Sequence, residues 1–174
     1  VVAIQHGEQI FHMAASFQEP EEGIEHQLPM PDVPPPESLP DLRDLIEAQQ
    51  ELPAAVRRFA GRNSPFEFHI VQAQDYRNPR AGLPRQDVWF RAVDRLDDDA
   101  SLHACLLAYV SDYHLIGTAL LPHGKTLASP GVVAASIDHA MWFHHPVRVD
   151  EWLLYSIESP AAAGARGFAR ASLF

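Results

Sequence analysis

A chain of 174 residues, 47% hydrophobic and 21% charged, has the make-up of a globular protein and length for one ordinary core. Its 13 Lys and Arg against 23 Asp and Glu give a formal net charge of −10, which repels phosphate backbones and anionic lipid heads and argues against a nucleic-acid role. A single cysteine, Cys105, excludes an internal disulfide and points to an intracellular setting, and neither an uninterrupted apolar run of about 18 residues nor a secretory leader is read in the chain.

In chain order, Val1 to Gln18 reads as a hairpin turning at Gly7 and Glu8, with Ile10, Phe11, Met13 and Phe17 as strand-like bulk. From Glu19 to Pro40 the composition becomes acidic, polar and rich in proline, with six of the 15 prolines between Pro29 and Pro40, so an extended linker is expected. Ser38 is placed to cap a helix reaching about Gly61, interrupted at Pro53, with Leu39, Leu42, Leu45, Ile46, Leu52, Val56 and Phe59 on its apolar side. FEFHIVQ (66–72) and DVWFRAVDR (87–95) alternate with period two and flank a loop from Arg77 to Arg85.

The acidic run Asp97, Asp98, Asp99 before Ser101 suits a helix start, where the dipole favours negative charge. From Leu102 to Leu121 the chain is apolar on nearly every face, which predicts one long helix buried on more than one side. Strands are expected over VVAASIDHAMWFHH (132–145) and EWLLYSIES (151–159), followed by a turn through Pro160 to Gly164 and a returning strand RGFARASLF. Strands and helices do not alternate regularly, so the pattern is α+β: one long helix on a largely antiparallel sheet.

Between Asp99 and Lys125 the one formally charged residue is Asp112, seven residues after Cys105 and three after Tyr109, on an apolar stripe of the predicted helix. A carboxylate facing a core costs several kcal/mol unless it is paired, hydrogen-bonded or wet. Asp112 is therefore either a base or water-orienting group with its pKa pushed up by burial, or a carboxylate tied down by a local donor such as Tyr113. Asp138, His139, His144 and His145 invite a metal reading, but adjacent strand residues face opposite sides and the zinc spacings are absent, so no metal is assigned. Cys105 lies in an apolar segment with no cation beside it and reads as buried and inert. No serine-hydrolase elbow, phosphate-binding loop or dinucleotide fingerprint occurs.

Several stretches in order resemble the type II (TesB-like) acyl-CoA thioesterases. They are IFHMAASFQ with GIEHQ and the proline-rich linker, LLAYVSD, LLPHG, IDHAMWFHHP, EWLLY and ARGF. The resemblance covers essentially the whole chain and implies a hotdog, an antiparallel sheet wrapped around a long central helix, as part of a double-hotdog chain. It divides the sequence into residues 1–28, the closing strands of an incomplete N-terminal hotdog; 29–64, the linker with its helix; and 65–174, a C-terminal hotdog lacking its last strand or strands.

The family activates a water against the thioester with a helix Asp, a strand Ser or Thr and a Gln near the C-terminus. The resemblance carries the Asp onto Asp112 and the hydroxyl onto Ser136, where Thr is the usual residue; the Gln belongs to a strand after ARGF. On this reading both ends look cut from a longer protein, and the 174 residues alone are expected to hydrolyse acyl-CoA poorly or not at all. The resemblance implies an acyl-CoA substrate, no cofactor, a homo-oligomer, and the cytoplasm, or the peroxisome in a eukaryote.

Two other readings stand beside it. Asp98 and His103 have the spacing of the enoyl-CoA hydratases that share the hotdog, without those enzymes' surrounding motif. A non-catalytic acyl-CoA-binding or structural hotdog is the third. Arg77, Arg80, Arg85, Arg148, Arg166 and Arg170 are the basic residues available to an anionic nucleotide, and none is assigned to CoA.

Overall fold

A computed structural model describes residues 1–48, 64–76 and 78–174. The larger of its two sheets has four antiparallel strands in the order β3-β4-β5-β6: β3 (Phe66–Ile70), β4 (Arg85–Ala92), β5 (Leu153–Ala163) and β6 (Arg166–Leu173). Period-two patterning explains the first pair. Phe66, Phe68 and Ile70 stand opposite Ala92, Phe90 and Val88, so six buried apolar side chains share one face. The intervening residues Glu67, His69, Trp89 and Arg91 share the other.

That second face is covered by the linker. Residues 13–35 have no regular structure, and a 3-10 turn at Pro36–Ser38 leads to α1 (Leu42–Glu47). Trp89 Nε1 donates to the Pro34 carbonyl at 2.9 Å, and His69 Nδ1 lies 2.7 Å from the Pro36 carbonyl. His69 also meets Glu67 at 2.9 Å, Glu67 accepts from Arg91, and the Arg91 guanidinium lies over the Trp152 ring at 4.4 Å. The linker carbonyls lie outside any strand ladder, and a carbonyl oxygen has two lone pairs, so Pro36 meets His69 while also accepting from Leu39 N at 3.0 Å.

The cap of α1 is Asp41 rather than Ser38. The Asp41 carboxylate accepts from Arg43 N at 2.8 Å, whereas Ser38 Oγ turns back to the Pro35 carbonyl. Pro36 and Pro40 hold this stretch outside α geometry until Asp41, which explains the later start. The remainder of the expected helix, 49–63, and Arg77 lie outside the described residues.

The predicted long helix is two. α2 (Ala100–Val110) is capped by Asp99, whose side chain accepts from Ser101 N and Leu102 N; α3 (Leu115–Leu120) follows after a break, and a 3-10 turn at Leu121–His123 ends it. His114 occupies the break with φ of 66°, a left-handed conformation costly for a side chain with a Cβ. Its carbonyl accepts from both Thr118 N and Thr118 Oγ1 at 2.9 Å, so it starts the second helix. Apolar periodicity continues across the break, which is why the sequence pattern does not reveal it.

Taken together, Ala100–His123 contains an 18-residue window of mean hydropathy 1.4, long and apolar enough by length and composition to cross a membrane. It is not an uninterrupted apolar run, since Ser111, Asp112 and His114 fall within it, and the core helix of a soluble protein passes the same test. Here His103, Leu107 and Val110 are buried at helical spacing, and α3 packs on β5 and β6. Gly167 on β6 permits that approach: a Cβ there would come within 3.1 Å of the Ala119 Cβ. The core joins Phe66, Phe68, Ile70, Val88, Phe90, Leu107, Val110, Tyr155 and Ile157.

Three further expectations change. The N-terminal hairpin is present as β1 (Val2–Gln5) and β2 (Glu8–His12), but its second strand ends at His12, and it forms a separate two-stranded sheet. Residues 132–145 are not a strand; they run irregularly, with Val133, Ile137 and Trp142 at least three-quarters exposed. The turn expected through Pro160 to Gly164 is confined to the end of that span: Pro160 lies at a register shift inside β5, and the chain reverses at Gly164 and Ala165, both at positive φ.

Candidate active site

The site forms at the C-terminal end of α2, just before the break: Ser111 is the C-cap, its N–H still donating to the Leu107 carbonyl at 2.9 Å, and Asp112 follows it. Ser111 is buried, its backbone carbonyl accepting from the Tyr155 hydroxyl at 2.6 Å. Asp112 then points outward with its side chain 54% exposed, which corrects the expectation of a carboxylate facing the core. Asp112 does share the stripe of Leu102, Cys105 and Tyr109, but that stripe is the solvent-facing side of α2; the buried side carries His103, Leu107 and Val110. Cys105 is likewise exposed rather than buried.

The irregular segment 132–145 passes over this helix end. Ser136 Oγ donates to Asp112 Oδ1 at 3.1 Å, bringing together two residues 24 positions apart. His139 Nδ1 lies 4.0 Å from the same Oδ1, and His139 Nε2 lies 2.9 Å from Ser111 Oγ. Ser111 Oγ in turn donates to the Ala108 carbonyl at 2.9 Å. The cluster is thus a carboxylate, a hydroxyl and an imidazole at a solvent-facing helix end, held from below by a buried serine and a buried tyrosine. Burial first, and then the negative charge of Asp112, raise the pKa of Tyr155, which keeps its hydroxyl a donor. Sequence reasoning assigned His139 only to a metal reading and did not single out Ser111 or Tyr155. Their one sequence signal is membership of the AYVSD, IDH and EWLLY stretches.

Beside the cluster, Tyr113 and His114 face the core. Tyr113 donates to the Tyr109 hydroxyl at 2.9 Å, and its pKa is raised by burial and by that neighbour. His114 stands edge-on to Phe68 with ring centroids 5.1 Å apart, and burial lowers its pKa to about 4. Both line a small cavity of about 30 Å³ with Asp41, Leu42, Arg43, Ser64, Phe66 and Phe68; Asp112, Ser136 and His139 do not line it.

The hydratase pair is not assembled as a dyad. His103 is buried, accepts from Val149 N at its Nδ1 and meets the Asp97 carbonyl through Nε2, so both ring nitrogens are engaged. Asp98 pairs with Arg148 at the surface. Nor do His139, His144, His145 and Asp138 form a ligand set: among the described residues, the group close enough to share an ion is Asp41, Glu67 and His69. Asp41 already pairs with Arg43, and Glu67 with both Arg91 and His69. Of the basic candidates, Arg85, Arg148 and Arg170 are engaged by Asp87, Asp150 and Glu158.

Comparison with known proteins identifies the family. The family model described as acyl-CoA thioesterase matches residues 57–174, which include Asp112, Ser136, His139 and Tyr155. The chain belongs to the acyl-CoA thioesterase family. It is 40% identical to acyl-coenzyme A thioesterase 8 of Homo sapiens over 100% of this chain and 57% of the relative. It is 41% identical to acyl-CoA thioesterase 2 of Haemophilus influenzae over 100% of this chain and 61% of that protein. The crystal structure of the acyl-CoA thioesterase II TesB2 from Mycobacterium marinum superposes with a TM-score of 0.72 at 39% identity, covering 99% of this chain and 59% of the other. The fold is accordingly the α+β hotdog type expected, with the helical segment packed on an antiparallel sheet. The chain spans only 57–61% of the length of these curated relatives.

Proposed function

We propose that this chain carries the hydrolytic centre of an acyl-CoA thioesterase, with Asp112 as the base and Ser136 as the group that orients it. The observation that carries the reading is the 3.1 Å hydrogen bond from Ser136 to Asp112, made outside the core and open to solvent, between the two residues onto which the family pattern falls. A water beside Asp112 gives up a proton to the carboxylate as its oxygen bonds to the thioester carbonyl carbon. The tetrahedral intermediate collapses with cleavage of the C–S bond, the thiolate of CoA receives the proton, and the fatty acid is released. Ser136, having donated its hydrogen to Asp112, fixes which oxygen and which lone pair face the water. The Gln implied after ARGF completes the proposed triad.

The exposed apolar residues Phe17, Ile24, Val133, Ile137 and Trp142 support an assembly in which further hotdog units cover this chain, within a longer polypeptide and in a homo-oligomer. The proposed compartment is the cytoplasm, or the peroxisome in a eukaryote.

The test is thiol release from a medium-chain acyl-CoA by the whole natural protein. Asp112→Asn, with unchanged circular dichroism, is expected to lower kcat about 10²–10⁴-fold, the usual worth of a positioned base. Full activity in that variant refutes the reading; acyl-CoA binding without thiol release by the unmodified protein makes it a binding module.

A further inference from the structure

We infer that His139 is a second hydrogen-bond acceptor for the attacking water, working opposite Asp112 and locked in the required tautomer by Ser111. The inference rests on the thioesterase reading above and adds to it a group that the Asp, hydroxyl and Gln pattern does not include.

The hydrogen count determines the tautomer. A serine hydroxyl has one hydrogen to donate. Ser111 Oγ gives it to the Ala108 carbonyl at 2.9 Å, the back-bond of a serine at a helix end. The 2.9 Å contact between Ser111 Oγ and His139 Nε2 therefore needs its hydrogen from the ring, so Nε2 carries the proton. In a neutral imidazole the other nitrogen is then a bare acceptor. His139 Nδ1 faces the Asp112 carboxylate at 4.0 Å, too far for a direct hydrogen bond. Ser111 is buried, and its carbonyl is held by Tyr155, so the lock has a rigid base.

Two acceptors facing one another at that separation suit one molecule in particular. A water donating both hydrogens at about 2.8 Å, with the two directions about 90–105° apart, spans acceptors roughly 4.0–4.4 Å from each other. A water held between Asp112 Oδ1 and His139 Nδ1 would have both O–H bonds committed and an oxygen lone pair directed away from both. That is the orientation required for attack on a carbonyl carbon. Asp112 takes the transferred proton, and His139 holds the second hydrogen through bond formation. This second proton stays on the nascent carboxylic acid and is lost to solvent, while the CoA thiolate leaves with the first.

The test uses two amide substitutions in the whole natural protein. His139→Asn places an amide oxygen where Nδ1 was and gives up the Ser111 bond; His139→Gln reaches Ser111 but gives up the Nδ1 acceptor. If His139 serves the water, Asn retains kcat within about threefold while Gln loses about tenfold at unchanged KM, the worth of one hydrogen bond. The reverse order, or equal loss in both, overturns the inference and leaves His139 a structural partner of Ser111. Nitrogen-15 NMR of the labelled protein gives a readout independent of turnover: a protonated Nε2 and bare Nδ1 are expected for His139, and a protonated Nδ1 overturns the assignment. Asp112→Asn separates the two levels. Full activity there removes the thioesterase reading itself, whereas an inactive Asp112→Asn with the reversed order at His139 removes only the present inference.

Discussion

Removing one hydroxyl, in Tyr155→Phe, tests whether the end of α2 is held where the site needs it. Tyr155 is 5% exposed, and its hydroxyl donates to the Ser111 carbonyl at 2.6 Å, while its ring packs edge-on against Phe90 with centroids 6.2 Å apart. Phenylalanine preserves that ring packing, so the loss is confined to the hydrogen bond and to a carbonyl left without this donor in a buried position. Stranding a buried acceptor costs about 1–3 kcal/mol, more than the net value of a typical hydrogen bond, because the desolvation penalty is no longer offset. For a chain of this size each kcal/mol lowers Tm by about 2–4 °C, so a fall of about 2–12 °C is expected. Thermal and urea unfolding followed by circular dichroism read it, with an unchanged urea slope showing that the same surface unfolds. In the whole protein, acyl-CoA hydrolysis should also lose kcat with little change in KM, because Ser111 directly precedes Asp112. A Tm within about 1 °C of the unmodified protein refutes the argument that Tyr155 anchors the helix end.

Two pH-dependent predictions follow from the buried and paired titratable groups. Burial lowers the His114 pKa from 6.5 to about 4, so as pH falls the unfolded chain takes up this proton first. Its contribution to stability is therefore complete above about pH 6.5 and declines from there to about pH 4. His114→Asn tolerates the left-handed backbone and should remove that part of the slope when urea midpoints are compared across pH. Asp150 is held at about 2, first by the Arg148 guanidinium and then by the Leu96 amide, against an ordinary 3.8. That stabilisation is present above pH 3.8 and is lost as pH falls through about 2; Asp150→Asn should lower stability at neutral pH and flatten acid unfolding in this window. An acid profile unchanged by Asp150→Asn would show that the pair contributes nothing.

What the sequence determined by itself was local or periodic. Alternation in FEFHI and in VWF marked β3 and β4, because a half-buried strand must place every second side chain in the core. The acidic run ending at Asp99 marked the start of α2, because free backbone N–H groups at a helix end need an acceptor. The family pattern also put Asp112 and Ser136 forward together. Tertiary structure decided the rest. A helix broken at His114 keeps the apolar periodicity of a continuous one, and packing alone decides which apolar stripe of α2 is buried: the one with Leu107 and Val110 meets the core, whereas the one with Cys105, Tyr109 and Asp112 faces solvent. The segment 132–145 has the composition of a strand, but no neighbouring strand pairs with it among the described residues; it crosses the helix end instead and delivers Ser136 and His139. Strand propensity reflects how a side chain fits a pleated surface, and only the assembled sheet determines whether a partner is there to provide one. The contacts of Ser111 with His139 and Tyr155 join residues 28 and 44 positions apart, separations at which pairing is set by packing rather than by any local pattern.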